Sequence, residues 1–255
     1  MSPAESHDPS LVIDDAGSGR PVLVLHGGGG PDTVAPLAAH LAASHRVLTP
    51  TLPGWNGAPR PDSMTTISDY ADAFLGALAA RGLTDVVAVG SSLGGWLAAE
   101  MAARDRGGLL GGVVLLDAAG IVVEGEPIVD FFSLSPREVA EHTWHDPDRF
   151  FVDPATVPPE RAAMQRANMA TMALVARDMN DPELRARLRA VTIPALVVWG
   201  DSDRIFTPGY GRAYAGSLSN ARFALVADAG HLPQLEQPEA TFALIDAFLE
   251  TPKAG

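Results

Sequence analysis

The sequence predicts an α/β fold built on a mostly parallel central sheet, and three observations carry that prediction. Short runs rich in Val and Leu recur at residues 22–25, 47–51, 86–89, 113–116, 196–199 and 223–226. None of them alternates apolar with polar residues, as expected of strands covered on both faces of a parallel sheet. Stretches of helical periodicity lie between several of the runs, and strand–helix alternation marks the α/β class. Finally, 255 residues of which 47% are hydrophobic suit one large globular domain or a core carrying an insertion.

Taken in order, the run at 22–25 enters a loop in which residues 27–30 are all glycine, and the run at 47–51 leads into Leu52-Pro53-Gly54-Trp55-Asn56-Gly57. Residues 69–81 place Tyr70, Ala73, Phe74, Ala77 and Leu78 on one helical stripe, and residues 93–104 read similarly after the run at 86–89. The most apolar segment, 107–123, is interrupted by Asp117 and by glycines. It falls short of the roughly 20 residues a membrane-spanning helix needs and reads as a buried strand with flanking loops. The last helix is expected at 238–250, with Phe242, Ile245, Phe248 and Leu249 on its apolar side.

Between about residues 121 and 191 no run resembles a strand. Phe131, Phe132, Trp144, Phe150 and Phe151 crowd the segment, and Pro158-Pro159 opens a helix-like stretch over 160–179. The segment reads as an inserted helical cap, which divides the chain into a core over 1–120, the cap over 121–191 and the rest of the core over 192–255. Four of the seven methionines, Met164, Met169, Met172 and Met179, fall within it. They read either as ordinary packing or as an adaptable apolar lid. Met164, Met172 and Trp144 are the candidate substrate-pocket residues. Only the first eight residues and the last four are expected to be unstructured.

Composition narrows the function. Lys plus Arg number 18 against 31 Asp plus Glu, a formal charge of -13. Such a surface repels phosphate backbones and anionic lipids, so neither nucleic acid nor a membrane surface is an expected partner. With no cysteine there is no disulfide, thiolate nucleophile or cysteine zinc site. His142, His145, Asp146 and Asp148 lack a helix-borne His-Glu-x-x-His, and Pro147 breaks their segment, so no metal site is expected. Residues 1–10 contain Glu5 and Asp8 without Lys or Arg, and no apolar stretch follows, which reads as a cytoplasmic protein without a secretory signal.

The strongest chemical signal is Gly90-Ser91-Ser92-Leu93-Gly94, directly after one strand pattern and directly before a helical one. This is the G-x-S-x-G elbow in its required context. Small residues are needed two positions either side of a nucleophile on so tight a turn, and Gly90 and Gly94 supply them. Ser92 is the candidate nucleophile, and the N–H of Leu93, at the helix start, is a candidate oxyanion donor. The glycine loop after His26 fits neither phosphate fingerprint: the dinucleotide pattern from Gly27 meets Asp32 where glycine is needed, and no Gly-Lys-Ser/Thr follows. Its alternative use is to present a second oxyanion donor, assigned to Gly28 with Gly29 as the fallback. His26 reads as a structural histidine bracing this loop.

Two further segments follow late strand patterns: Gly200-Asp201-Ser202-Asp203 and Gly230-His231-Leu232-Pro233-Gln234-Leu235-Glu236. With these, the chain resembles the α/β-hydrolase-fold superfamily, in its serine esterase, C–C hydrolase and perhydrolase-like group. The likeness runs from about residue 12 to 249. It implies that Asp203 and His231 complete a triad with Ser92, in the chain order nucleophile, acid, histidine. Asp201 and Asp117 are the alternative acids. Thr51 stands where most relatives have Asp before the Leu-Pro-Gly turn. A serine at the elbow separates the chain from relatives that use Asp there, the haloalkane dehalogenases and epoxide hydrolases.

The resemblance implies a cofactor-independent serine hydrolase acting on a small-molecule carboxylic ester or lactone with an apolar acyl part. C–C bond hydrolysis of a vinylogous diketone is the alternative, although that group usually has Trp where this chain has Leu232. Perhydrolysis is a side reaction the same triad could support. A ligand receptor that retains the triad is the third reading.

Overall fold

The computed structural model describes residues 11–251. The two terminal stretches expected to be unstructured lie outside them. Strands β1 (Val12–Gly17), β2 (Pro21–Leu25), β3 (Arg46–Thr51), β4 (Val86–Ser91), β5 (Leu110–Leu116), β6 (Ala195–Gly200) and β7 (Ala221–Val226) form a seven-stranded sheet in the order β1-β3-β2-β4-β5-β6-β7. Every neighbouring pair is parallel except β1 with β3.

The six apolar runs are β2 to β7. Edge strand β1 carries no apolar run: its residues are Val-Ile-Asp-Asp-Ala-Gly, mostly exposed. It pairs along the whole length of β3, from Val12 opposite Thr51 to Gly17 opposite Arg46. At the other edge, β7 departs from the expected burial on both faces, with Leu225 40% exposed. An edge strand has a neighbour on one side only, so its outer side chains reach water.

Helices cover both faces. On one side α2 (Ile67–Ala80), α3 (Leu93–Arg104), α7 (Leu184–Leu188) and α8 (Pro208–Ala215) pack through Tyr70, Phe74, Leu97, Leu184, Leu188, Tyr210 and Tyr214 against Leu23, Leu25, Ala88 and Leu115. On the other, α1 (Ala35–Leu41) and α9 (Pro238–Leu249) bury Leu37, Leu41, Ile245 and Phe248 against Val22, Val24, Val87 and Val89. Alternate residues of one strand thus enter opposite cores, the consequence of a two-residue side-chain period. Helix α2 begins at Ile67, two residues before the expected 69, because Thr66 and Asp69 exchange side-chain and backbone hydrogen bonds in a capping box.

Between β5 and β6 the chain forms α4 (Pro136–Thr143), the short α5 (Pro147–Phe150), α6 (Pro159–Val175) and then α7. Helix α6 ends four residues earlier than the periodicity predicts, and Met179 sits at φ 53 in the turn that follows. Helix α7 is tied to the core by the buried carboxylate of Glu100 on α3, which accepts from Arg187 at 2.6 Å and from Ser68 at 2.9 Å. Among the described residues no helix is long and apolar enough to cross a membrane.

Candidate active site

The order of strands reverses between β2 and β4. In an open parallel sheet the loops leaving the carboxyl ends of two such strands diverge and leave a crevice. The loop after β2 holds residues 26–30, and the turn after β4 holds Ser92.

Ser92 sits at φ 55 and ψ -115 between β4 and α3, a conformation that costs energy for a residue with a side chain. The turn persists because its neighbours have no room for anything but glycine. A side-chain carbon on Gly90 would fall onto the Gly94 carbonyl, and one on Gly94 would fall onto the Leu25 carbonyl. The elbow pushes Ser92 Oγ toward His231 from the loop after β7, and Ser92 Oγ and His231 Nε2 are 2.9 Å apart. On the far side of the ring, His231 Nδ1 is 2.9 Å from Asp203 Oδ2, which comes from the loop after β6. All three side chains are buried. Phe206 covers the imidazole, its ring centroid 5.6 Å away. Asp203 Oδ1 also accepts the N–H groups of Ile205 at 2.8 Å and Phe206 at 3.2 Å, which fix the carboxylate in place.

Gly27 presses against Ser92: a side-chain carbon there would lie 3.0 Å from Ser92 Cβ. This brings the next peptide, that of Gly28, beside the serine. Leu93 is the first residue of α3, so its N–H has no intrahelical partner. The Gly28 carbonyl is held by the Trp55 indole N–H at 3.0 Å. His26 braces the loop from behind. Its Nδ1 donates to the Gly27 carbonyl at 2.7 Å, and its Nε2 accepts the Leu52 N–H at 3.0 Å. Burial pushes the His26 pKa down to about 4, against a smaller opposing effect of the Gly27 hydrogen bond.

The two alternative acids, Asp117 and Asp201, differ in setting. Asp201 is exposed and accepts the Ser202 hydroxyl at 2.8 Å. Asp117, after β5, is fully buried and accepts the Gly200 N–H at 2.9 Å. Burial first, and then the neighbouring Asp203, push its carboxyl well above the usual carboxylate range.

A cavity of about 870 Å³ lies between residues 136–168 and the loops that carry Gly29 and Leu232, the residue after His231. Trp144, Phe150, Met164 and Leu232 contribute its apolar wall, Gly29 brings it to the loop after β2 and Asn56 to the loop after β3. Trp144 and Phe150 stack with centroids 4.7 Å apart. Of the three candidate pocket residues, Trp144 and Met164 line this cavity. Met172 is not on this wall: it is buried in the core, its sulfur packed against Gly28.

Three residues given no role by sequence reasoning tie the site together. Glu236 is buried and accepts the Gly230 N–H at 2.6 Å and the His145 N–H at 2.8 Å, linking the His231 loop to the segment after α4. The His231 N–H donates to the Thr143 carbonyl at 2.6 Å, and the Arg204 guanidinium to the Glu141 carbonyl at 2.7 Å. Asn168 on α6 exchanges two hydrogen bonds of 2.9 Å with Asn56 at the cavity edge. Glu236 was visible as the last residue of the Gly-His-x-Pro-x-x-Glu segment, but its partner His145 lies 91 residues away.

A hydroxyl, an imidazole and a carboxylate in hydrogen-bonded sequence can move a proton off the hydroxyl as it attacks a carbon centre. Comparison with known proteins bears on what such a site belongs to. The sequence profile described as "Alpha/beta hydrolase family" matches residues 22–244. The chain belongs to the alpha/beta hydrolase family. This alpha/beta hydrolase is 30% identical to a pimeloyl-[acyl-carrier protein] methyl ester esterase of Aromatoleum aromaticum, over 89% of its own length and 97% of that protein. It is 27% identical to a 2-hydroxy-6-oxononadienedioate/2-hydroxy-6-oxononatrienedioate hydrolase of Paraburkholderia phymatum, over 92% of this chain and 89% of the other. Among solved structures, an esterase from Thermogutta terrifontis superposes with a TM-score of 0.70 at 26% identity, covering 94% of this chain and 92% of that one. The alpha/beta hydrolase is thus an enzyme whose relatives are named esterases, lipases and C–C hydrolases.

Proposed function

We propose that this alpha/beta hydrolase cleaves a carboxylic ester or lactone with an apolar acyl part, through an acyl-enzyme on Ser92. The observation that carries the reading is the buried chain of hydrogen bonds from Ser92 through His231 to Asp203, 2.9 Å at each step. Serine is a weak nucleophile at its own pKa, so His231 Nε2 takes its proton during attack. Asp203 holds the tautomer in which Nδ1 carries hydrogen and stabilises the imidazolium that forms. The Gly28 and Leu93 N–H groups receive the charge developing on the carbonyl oxygen, each worth about 2.7–4 kcal/mol of barrier. His231 then returns the proton to the departing alcohol, and water activated by the same imidazole releases the acid.

Residues 121–191 act in this reading as a cap, with Trp144 and Met164 facing the acyl group. An apolar cavity of this size supports a medium acyl or ring substituent over acetate. The 30% identity to a protein named as a methyl ester esterase supports ester chemistry. C–C bond hydrolysis is the second reading, favoured by the 27% identity to a dienedioate hydrolase. The test is a panel of nitrophenyl esters of rising chain length, lactones and a ring-fission dienoate, run on wild type and Ser92→Ala. Each buried methylene is worth about 0.8 kcal/mol, so kcat/KM is expected to rise roughly tenfold or more from acetate to butyrate. Dienoate turnover exceeding every ester would replace the first reading with the second. Ester turnover undiminished in Ser92→Ala would remove both.

A further inference from the structure

Behind the proposed triad lies a second buried carboxyl that the mechanism does not use. One oxygen of Asp117, one of Asp203 and one ring nitrogen of His231 lie within 4.8 Å of one another, and all three residues are buried. Asp117 is held at φ 44 at the end of β5, and its Oδ1 accepts the Gly200 N–H at 2.9 Å. Its Oδ2 is fully enclosed and no donor among the described residues reaches it. A buried carboxylate oxygen without a donor is costly, and two adjacent buried carboxylates repel each other. Both costs vanish if Oδ2 carries a proton and donates it.

The two acids are not equivalent hosts for that proton. Asp203 receives three N–H groups, from Ile205, Phe206 and His231, whereas Asp117 receives one. Donors favour the ionised form, so the charge belongs on Asp203 and the proton on Asp117. The titratable groups that face Asp117 are Asp203, His231 and, acting through space, Glu236; none is a standing cation that would hold Asp117 ionised.

We propose that Asp117 is a positioning residue: in the resting enzyme it keeps its proton and donates it from Oδ2 to the Asp203 carboxylate, holding that carboxylate in line with His231. This inference rests on the proposed triad, because the job it describes is to orient the triad's acid. It assigns a neutral role to a side chain that sequence reasoning treats as an alternative acid. An ionised Asp117 would act on His231 by charge, and a neutral one acts only through the geometry of Asp203.

The test compares Asp117→Asn with Asp117→Ala in the full chain. Asparagine can still accept the Gly200 N–H, can donate to Asp203 through its amide, and tolerates a positive φ. If Asp117 is neutral, Asp117→Asn leaves the inflection of the pH profile of kcat/KM unchanged and kcat within about threefold of wild type. If it is ionised, removing its charge beside His231 lowers that inflection by about one unit or more, and the proposal is overturned. Alanine offers no donor, so Asp117→Ala is expected to lose about tenfold or more in kcat with little change in KM. Full kcat in Asp117→Ala would overturn the positioning role. Infrared spectra at neutral pH provide a readout that needs no turnover and survives poor folding of the alanine variant. The stretch of a protonated carboxyl is expected in wild type and missing from Asp117→Asn. An absent wild-type band together with a reactive Ser92 would overturn this proposal alone. A band present with an inert Ser92 would overturn the triad reading and the positioning role with it.

Discussion

Acidification should destabilise this fold through a single imidazole in a way that one substitution removes. His26 is fully buried, donating from Nδ1 to the Gly27 carbonyl and accepting the Leu52 N–H at Nε2. Only the neutral ring with hydrogen on Nδ1 satisfies both bonds, because a proton on Nε2 would face the Leu52 donor. Burial holds the folded-state pKa at about 4, below the ordinary 6.5. Above pH 6.5 the ring is neutral in both folded and unfolded chains, and the full stability is present. As the pH falls from 6.5 toward 4, the unfolded chain binds a proton that the folded state refuses, so stability declines; below about 4 the loss levels off. The whole difference is worth about 3 kcal/mol. The assay is urea unfolding of wild type and His26→Gln from pH 7.5 to 4.5. Glutamine can donate to Gly27 and accept from Leu52 without titrating, and other acid-sensitive groups cancel in the comparison. Wild type is expected to lose about 2–3 kcal/mol relative to the variant across that range. Parallel stability curves would refute the assignment of His26 as a neutral buried brace.

The remaining expectations concern the site. Asp203→Asn should leave the protein folded, since thermal melts will show a native transition, yet slow ester hydrolysis by something approaching 10⁴-fold. Asp201→Asn, at an exposed side chain hydrogen-bonded to Ser202, should have a modest effect, and the reverse ranking would mean that the acid is Asp201. Met164→Ala, on the cavity wall, should change the butyrate-to-acetate ratio of kcat/KM with little change in melting temperature. Met172→Ala should instead cost about 2–5 kcal/mol of stability, because Met172 is core packing against Gly28; equal melting temperatures for the two variants would contradict that division.

Much of this was legible in the chain because the decisive signals are local. The elbow needs a strand, a five-residue pattern and a helix in immediate succession, and all three lie within residues 86–104. The strands β2, β4, β5 and β6 announce themselves by apolar runs that are buried almost throughout. Strand β1 could not, since an exposed edge strand with Asp14 and Asp15 has the composition of a loop; its pairing with β3 and the Asp15–Arg46 ion pair at 2.6 Å are visible only in space. Helix α8 was hidden by Gly209 and Gly211, which break a helical reading. Gly211 is there because a side chain would run into the Trp199 ring.

What the sequence concealed in the site is of one kind, polar contacts between distant segments. Asn56 and Asn168 meet across 112 residues, and Glu236 reaches His145 across 91. No spacing rule relates such positions. The same holds for Asp117, whose unsatisfied oxygen becomes apparent only once β5 and β6 lie side by side. Methionines clustered in sequence between residues 164 and 179 also separate in space, Met164 onto the cavity and Met172 and Met179 into the core.

Ser92, activated by His231, is the single nucleophile in the proposed mechanism. A fluorophosphonate probe followed by intact-mass measurement reports on this serine, because the reagent reacts with an activated hydroxyl. One adduct is expected on wild type, mapped to Ser92, and none on Ser92→Ala. Ser91→Ala should label like wild type, since Ser91 Oγ is buried and accepts from Gln234 at 3.0 Å. Undiminished labelling of Ser92→Ala would mean that the nucleophile is another residue.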